Sequence, residues 1–176
     1  EELVLDAETK LKEMHTDAGI GQLRDALKID PGYTRAHHNL GLIHYESGRV
    51  DSTLAHLEQV LYRDPYNDEA SYYTALCLLE RGDTTSAERY LYYIARPDKY
   101  YSQREYLLGR IDWHSGQLEA AAGHLEESVR ANGYNISARN LLAMVYSGLG
   151  RDNDARRELE ATLEIDPTSR WATAEL

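Results

Sequence analysis

Apolar side chains recur at three- and four-residue steps along most of the chain, a spacing that places them on one face of an α-helix. The first such face in the regular part of the chain carries Ala36, Leu40 and Ile43. A second face begins at Leu54 and continues to Leu61. Because polar residues fill most of the positions between them, the pattern predicts two consecutive amphipathic helices.

Glycine and proline interrupt these helical segments at a constant interval. The glycines follow one another every 34 residues, at Gly48, Gly82, Gly116 and Gly150. Three prolines lie on a second grid with the same 34-residue unit: Pro31, Pro65 and Pro167. Glycine tolerates the left-handed backbone that ends a helix, and the residue before a proline is pushed out of the helical region. A period kept over this length predicts an all-α stack of helical hairpins.

These signals place the hairpins along the chain. After the hairpin that contains Gly48, we predict three helix pairs, 68–81 with 84–95, 101–115 with 118–131, and 136–149 with 152–164. Three side-chain oxygens are placed to cap helices, those of Asn67, Asn135 and Ser169. Upstream, a stripe from Leu3 to Met14 gives a less regular first hairpin. The predicted single array has hairpins of about 1–33, 34–67, 68–101, 102–135 and 136–169, and 170–176 starts a further or capping helix.

Two short motifs recur in register within the hairpins. The first reads His37-x2-Leu40-Gly41-x2-His44 and Glu105-x2-Leu108-Gly109-x2-Asp112. The second reads Ala87-x3-Leu91, Ala121-x3-Leu125 and Ala155-x3-Leu159. Together they resemble the tetratricopeptide repeat (TPR) pattern W-x2-L-G-x2-Y, then A-x3-F, then P. The resemblance covers nearly the whole chain, and it implies a right-handed α-solenoid of about five helix-turn-helix hairpins.

The chain departs from the TPR pattern at its aromatic positions. None of the four tryptophan positions carries tryptophan, and His44 and Asp112 occupy the tyrosine position, which usually faces the neighbouring helix. An unpaired buried carboxylate is unfavourable. We therefore expect Asp112 to be paired by Arg110, by His114 or by a base on the following helix, or else to be hydrated.

A second departure lies at the turn of the third hairpin. The proline grid has Lys99 at this turn, and Pro97 stands two residues early. We expect the preceding helix to end near Ala95 and the next to begin around 98–101. The spacing then recovers, because Gly116 is again on the grid.

The resemblance implies a ligand-binding surface, because TPR proteins line a concave groove with the first helix of each hairpin. Carried over to this sequence, the groove candidates are Arg35, His38, Tyr45, Glu69, Tyr72, Gln103, Tyr106, Arg110, Trp113 and Asn140. Aromatic rings with one polar group suit contacts with a peptide or a sugar, since they bury area and keep a hydrogen bond. The alternative is that these rings only pack between neighbouring helices.

Tyrosine is unusually frequent, with 14 Tyr and no Phe. The density is highest around Tyr90, Tyr92 and Tyr93. Because successive helical side chains are about 100° apart, the three cannot share one buried face, and we expect at least one on the convex surface. Such a patch is a candidate contact with another domain or another copy. The alternative is that tyrosine replaces phenylalanine, with its hydroxyl group in water.

The charge and the cysteine content narrow the possible partners. The formal charge of −11, without clustered Lys or Arg, argues against nucleic acid and against an anionic membrane surface. No apolar run approaches the roughly 20 residues of a membrane-spanning helix. Cys77 is the only cysteine, so no internal disulfide can form. That composition favours the cytoplasm, and a periplasmic location stays open.

Candidate chemistry is sparse. His37, His38 and His44 share one predicted helix, but the adjacent pair points in different directions and no metal-binding spacing accompanies them. We predict no metal and no cofactor. Neither an activated nucleophile motif nor a phosphate-binding glycine loop is present, so we predict no catalytic residue and no enzyme activity.

The sequence thus favours a non-catalytic protein–protein interaction scaffold that binds a peptide or protein segment in its groove. One alternative is a helical accessory module of a larger bacterial enzyme or secretion machine, with a carbohydrate-related role. The other is a self-association module, with a monomer or weak homodimer expected. We also expect a segment of a larger protein, because Arg170 to Leu176 resembles the start of another helix. A short natural C-terminal helix with Trp171 folded back is the alternative.

Overall fold

The structure is a computed structural model that describes residues 17–95 and 99–176. Over these residues the chain forms α-helices joined by short turns, and no strand is present among them. The first helix, α1, occupies 17–29. The following helices are α2 Thr34–Glu46, α3 Val50–Arg63, α4 Asp68–Glu80, α5 Thr84–Leu91, α6 Tyr101–His114, α7 Leu118–Ala131, α8 Ile136–Gly148, α9 Asp152–Ile165 and α10 Arg170–Glu175. The all-α prediction is confirmed, and the predicted stripe from Leu3 to Met14 lies outside the described residues.

The predicted helix ends have the expected local geometry. The four glycines of the 34-residue grid have φ between 67° and 79°, the left-handed conformation that ends the preceding helix. Each predicted N-cap side chain accepts a hydrogen bond from the backbone N–H three residues later, at 3.0 Å for Asn67, 3.2 Å for Asn135 and 3.4 Å for Ser169. Glycine and cap residues therefore determine where these helices stop and start.

The end of α5 corrects one prediction. The sequence predicts a helix over 84–95, but α5 ends at Leu91. Tyr93 and Ile94 each donate a backbone hydrogen bond to the carbonyl three residues earlier, at 3.2 and 3.1 Å, so the last turn tightens and the α-helical pattern stops. Ile94 is then buried, at 1% exposure. The next helix begins at Tyr101, within the predicted range.

The chain divides into two compact units, one ending at Asp83 and one covering Thr84–Leu176. In the first unit, a buried cluster joins α3 to α4 through Leu57, Val60 and Ala70. In the second unit, α7, α8, α9 and α10 contribute to one buried core. Its buried residues are Ala121, Ala122, Leu125, Ala138, Leu141, Leu142, Ala143, Val145, Tyr146, Ala155, Leu159 and Ala172.

In both units a glycine of the repeated Leu-Gly motif allows two paired helices to approach closely. A Cβ atom at Gly41 would lie 2.6 Å from Cδ2 of Leu57. A Cβ atom at Gly109 would lie 2.7 Å from Cγ of Leu125 and 3.1 Å from the carbonyl oxygen of Ala121. The motif therefore marks the contact at which a leucine of the second helix packs directly on the backbone of the first.

A buried network of polar side chains joins α6, α7 and α8. The hydroxyl groups of Ser102 and Ser128 each donate to the backbone carbonyl of the other residue, at 2.9 and 2.7 Å. Nδ2 of the N-cap residue Asn135 reaches both hydroxyl oxygens at 3.2 Å. Because all these groups are paired, the network fixes the start of α8 against the preceding hairpin.

This network predicts that the two asparagine caps differ in strength. We expect Asn135→Ala to lower the free energy of unfolding by about 2 kcal/mol, because it removes the cap and leaves two buried serine hydroxyl groups short of a partner. Asn67→Ala, the matched cap of α4, should cost only about 1 kcal/mol. Urea denaturation followed by circular dichroism measures both values. Equal losses would show that the serine contacts contribute nothing.

Candidate functional site

In the first unit, the first helices α2 and α4 bring three tyrosine rings together. The ring centroids of Tyr45 and Tyr73 are 4.8 Å apart and those of Tyr72 and Tyr73 are 5.2 Å apart, with interplanar angles of 60° and 68°. These are edge-to-face contacts, which aromatic quadrupoles favour. All three side chains are half-buried, and Tyr73 packs on the buried cluster below. We call this group the tyrosine cluster.

The surroundings of the tyrosine cluster are partly desolvated. Burial raises the pKa of Tyr45, and the negative charge of Glu80 raises it further. Nε2 of His38, two turns before Tyr45 on α2, lies 3.3 Å from Oε2 of Glu69, one turn before Tyr72 on α4, so this pair also links α2 to α4. Arg35, in the first turn of α2, is exposed. The structure thus pairs His38 with Glu69 and places the rings of Tyr45 and Tyr72 against Tyr73, and the assignment of these residues to a ligand-binding surface stays a prediction.

In the second unit, α6 carries the corresponding candidates. Tyr106 and Trp113 are half-buried and pack against the core of this unit. The guanidinium carbon of Arg110 lies 5.8 Å from the centroid of the Tyr106 ring, within the range of a cation–π contact. Oε1 of Gln103 is buried and has no hydrogen-bond donor among the described residues. Rings and polar groups therefore share this helix, with part of each ring committed to the core.

Asn140, another predicted groove residue, has one polar atom engaged inside its own hairpin. Its Oδ1 accepts a hydrogen bond from the hydroxyl group of Thr162 on α9 at 3.2 Å. That acceptor therefore serves the contact inside its own hairpin. Nearby, α8, α9 and α10 enclose a cavity of about 250 Å³ lined by Ala143, Met144, Ser147, Leu159, Trp171 and Glu175.

The tyrosines near the end of α5 are unevenly exposed. Tyr92 is 66% exposed and Tyr93 is 46% exposed, whereas Tyr90 is half-buried. The guanidinium carbon of Arg104 lies 5.7 Å from the centroid of the Tyr92 ring. At least one of the three is therefore at the surface, as expected, and their assignment to a convex contact patch stays a prediction.

The structure contains a set of polar pairs inside the hairpins that the sequence does not predict as part of a site. Three hairpins join a first-helix residue to the second-helix residue 19 positions later. The pairs are His37–His56 at 2.9 Å, Glu105–His124 at 2.7 Å and Arg139–Glu158 at 2.5 Å. The first member of each pair stands at the position where the TPR pattern has tryptophan, so the repeat register combined with complementary polar residues could have revealed them.

Two of these pairs extend into larger clusters. His44, which is 5% exposed, stacks on His56 with ring centroids 5.5 Å apart and planes at 12°, and its Nδ1 makes no hydrogen bond within the described residues. In the other hairpin, Nε2 of His124 lies 3.7 Å from Oδ2 of Asp112. The base on the following helix that was expected to pair with Asp112 is therefore His124.

The described parts of the chain show no membrane-spanning helix, no metal-binding cluster and no activated cysteine. Among residues 17–95 and 99–176, no helix is long and apolar enough to cross a membrane. The same residues contain no group of three or more histidine, cysteine or acidic side chains arranged to hold a metal ion. Cys77 is fully buried, and burial raises the pKa of its thiol to about 11, so it is not an activated nucleophile.

Comparisons with known proteins agree with the hairpin repeat. Tetratricopeptide repeat family models match residues 7–68, 39–102 and 113–175. A search of curated proteins finds no match. Among solved structures, the chain is similar to MamA, with 20% identity, 90% of this chain and 93% of that chain covered, and a TM-score of 0.78.

Two further solved structures have the same fold. One is pilF of Pseudomonas aeruginosa, at 20% identity, with 94% of this chain and 75% of that chain covered and a TM-score of 0.78. The other is YrrB, described as a TPR protein with an unusual peptide-binding site, at 15% identity, with 93% and 84% covered and a TM-score of 0.74. These similarities confirm the predicted fold class, an α-solenoid built from helical hairpins.

Proposed function

Because the chain belongs to the tetratricopeptide repeat family, whose fold serves protein interaction, we propose that its first-helix surfaces bind a peptide or a segment of a protein without catalysing a reaction. The observation that carries the proposal is the tyrosine cluster of the first unit. Its central ring, Tyr73, contacts the half-buried rings of Tyr45 and Tyr72 edge to face, and the His38–Glu69 pair joins the same two helices. Rings held in place in this way offer apolar area at a low cost in conformational entropy.

The second unit supports the same role with different residues. Tyr106 and Trp113 expose part of their rings from α6, and Arg110 supplies a cation beside Tyr106. Tyrosine, tryptophan and arginine are the residues that most often dominate the energy of a protein interface. The exposed side chain of Met144, at the rim of the cavity formed with α10, adds an apolar contact that can adapt its shape.

The contacts of His124 support a structural role rather than a catalytic one. One ring nitrogen contacts the buried carboxylate of Glu105, and the other faces the carboxylate of Asp112. A general base needs a ring nitrogen directed at a substrate or a nucleophile. Among the structural relatives, the description of YrrB as a TPR protein with a peptide-binding site agrees with a peptide ligand for this chain as well.

The proposal predicts which tyrosines affect binding. Linear peptides selected from a random library against the full chain serve as the probe, and fluorescence anisotropy gives their Kd. We expect Tyr72→Ala to weaken binding of peptides that occupy the first unit by about tenfold or more, the effect of losing an interface hot spot. Trp113→Ala should do the same for peptides that occupy the second unit.

Tyr62 provides the matched control. It is 83% exposed on α3, the second helix of its hairpin, so Tyr62→Ala should leave Kd unchanged. Equal losses for Tyr62→Ala and Tyr72→Ala, or no loss for either Tyr72→Ala or Trp113→Ala, would contradict the assignment of the surface. The alternative functions, an accessory module and a self-association module, stay predictions. The expected monomer or weak homodimer also stays a prediction. The exposed side chains of Tyr92 and Tyr93 favour the self-association alternative.

A further inference from the structure

The polar pair 19 residues apart occupies equivalent places in the repeat, yet its charge chemistry differs between hairpins. In the last complete hairpin, Nε of Arg139 donates to the carbonyl oxygen of Gly133, six residues earlier, at 2.9 Å. In the α2–α3 hairpin, Nε2 of His37 contacts the carbonyl oxygen of Pro31, also six residues earlier, at 3.0 Å. The two first-helix residues are therefore held in the same way, and only the partner chemistry changes.

The closely packed histidine rings of the α2–α3 hairpin can bind few protons without bringing like charges together. A carbonyl oxygen can only accept, so Nε2 of His37 carries a hydrogen, and the Nδ1 of its neutral ring accepts from Nδ1 of His56. If both rings were cationic, two N–H groups would face each other across 2.9 Å. His44 stacks on the second of these rings and is itself buried. Acid thus introduces like charges into a closely packed group.

The surroundings of this histidine group add further positive charge. Burial lowers the pKa of His44, and the charges of Arg49 and Arg24 lower it further. Burial also lowers the pKa of His56, followed by the effects of His37, of His44 and of Arg24. Arg24 lies on α1 and Arg49 in the turn before α3. From α4, the carboxylate of Glu69 is directed at His38, the neighbouring residue on α2.

The α6–α7 hairpin has the opposite arrangement. His124 lies between two carboxylates, with Nδ1 2.7 Å from Oε2 of Glu105 and Nε2 3.7 Å from Oδ2 of Asp112. The hydrogen bond to Glu105 raises the pKa of His124 against the opposing effects of burial and of Arg104, and the charge of Asp112 raises it too. The competing cation is Arg104 of α6, whose Nη1 lies 3.2 Å from Oε1 of the same Glu105. From α8, Arg139 pairs with Glu158 of α9.

We propose that these two hairpins respond to mild acidification in opposite directions: the contact between α2 and α3 loosens as its histidines gain protons, and the contact between α6 and α7 tightens as His124 becomes a cation between two carboxylates. The same repeat position in the α8–α9 hairpin carries arginine and glutamate and no histidine. Each of the two units of the chain thereby contains a pH-responsive pair at the same position of the repeat.

The signs follow from linkage. His44 and His56 bind protons less strongly in the folded chain, so the stability they support is present above the ordinary histidine pKa of about 6.5 and is lost as the pH falls through the folded values. His124 binds a proton more strongly when folded, so its contribution is complete below about 6.5 and is lost as the pH rises through its raised pKa. The loss at the α2–α3 contact therefore begins as the pH falls below about 6.5, and the loss at the α6–α7 contact begins as the pH rises above it.

A consequence for ligand binding rests on the function proposed above. His38 and Tyr45 directly follow His37 and His44 on α2, so a looser α2 changes the position of the tyrosine cluster. Acid should then weaken binding in the first unit. The conformational response itself does not depend on any ligand, so it is tested on the protein alone, and its failure would leave the peptide-binding proposal standing.

Amide hydrogen exchange of the full chain at pH 7.5 and pH 5.5, corrected for the intrinsic pH dependence of exchange, tests the proposal. We expect exchange in α2 and α3 to become at least about threefold faster at the lower pH, and exchange in α6 and α7 to become slower. The double variant H37R/H56E transfers the Arg139–Glu158 pair into the α2–α3 hairpin and should abolish the first change. His114→Gln, at an exposed histidine, should alter neither.

Exchange in α2 and α3 that is equal at the two pH values would overturn the proposal, as would an undiminished response in H37R/H56E. Should that variant fail to fold, the histidine side-chain resonances of the native protein decide the question. Apparent pKa values below about 6.5 for His44 and His56 and above it for His124 support the opposed response. Values that lie on the same side for all three residues refute it.

Discussion

Replacing Gly109 by valine is expected to lower the free energy of unfolding by about 1–3 kcal/mol, the range for forcing extra volume into a packed contact. Even the first added carbon would lie 2.7 Å from Cγ of Leu125 and 3.1 Å from the backbone oxygen of Ala121. The side-chain contact involves a branch point and the other a helix backbone, so neither atom can move without shifting α6 from α7. Urea denaturation monitored by circular dichroism measures the loss.

Gly123 provides the control for this substitution. It lies in the middle of α7, is exposed, and has no atom within 4 Å of the position that a Cβ would take. Gly123→Ala should therefore raise stability by about 0.5–1 kcal/mol through helix propensity alone. If Gly109→Val proved neutral or stabilising, the close approach of the two helices at this position would be disproved.

The second large effect is expected at the equivalent contact of the first unit. Leu57 is fully buried, and it packs on the backbone at Gly41 and in the cluster with Val60 and Ala70. Leu57→Ala should lower the free energy of unfolding by about 2–5 kcal/mol, because it removes apolar contacts and leaves a cavity in a small core. The same denaturation experiment reports the change, with Leu61→Ala as a half-buried comparison that should cost less.

A double-mutant cycle tests whether the two residues form one contact. Gly41→Ala alone introduces a Cβ that would lie 2.6 Å from Cδ2 of Leu57 and should destabilise the chain. In the Leu57→Ala background the same methyl group occupies vacated space, so its cost should fall by about 1 kcal/mol or more. Strict additivity of the two substitutions would mean that Leu57 does not lie over Gly41.

Much of the fold can be predicted from the sequence because its signals are local. Glycines of the 34-residue grid adopt the left-handed conformation, and Asn67 and Asn135 cap the helices that they precede. Each of these backbone conformations and caps depends on only a few neighbouring residues. The end of α5 could not be predicted in the same way, because Ile94 is buried there and tertiary packing rather than periodicity decides where the helix stops.

Less of the candidate site than of the fold can be predicted from the sequence. Repeat register predicts one surface for Tyr45 and Tyr72, and in the structure both rings contact Tyr73. It cannot show that Asn140 bonds to Thr162, since side-chain rotamers and not backbone position decide that contact. The TPR register singles out Asp112 and predicts a base on the following helix among its possible partners, but it does not identify His124, because that pairing depends on the contact between two hairpin helices.

The buried thiol of Cys77 can report how often the first unit opens. It is the only cysteine in the chain, it is fully buried, and burial raises its pKa to about 11. A thiol reagent can reach it only when the surrounding helices separate, and it reacts with the thiolate that forms once water enters. The labelling rate of the native protein thus reports how often this unit opens, without an engineered probe.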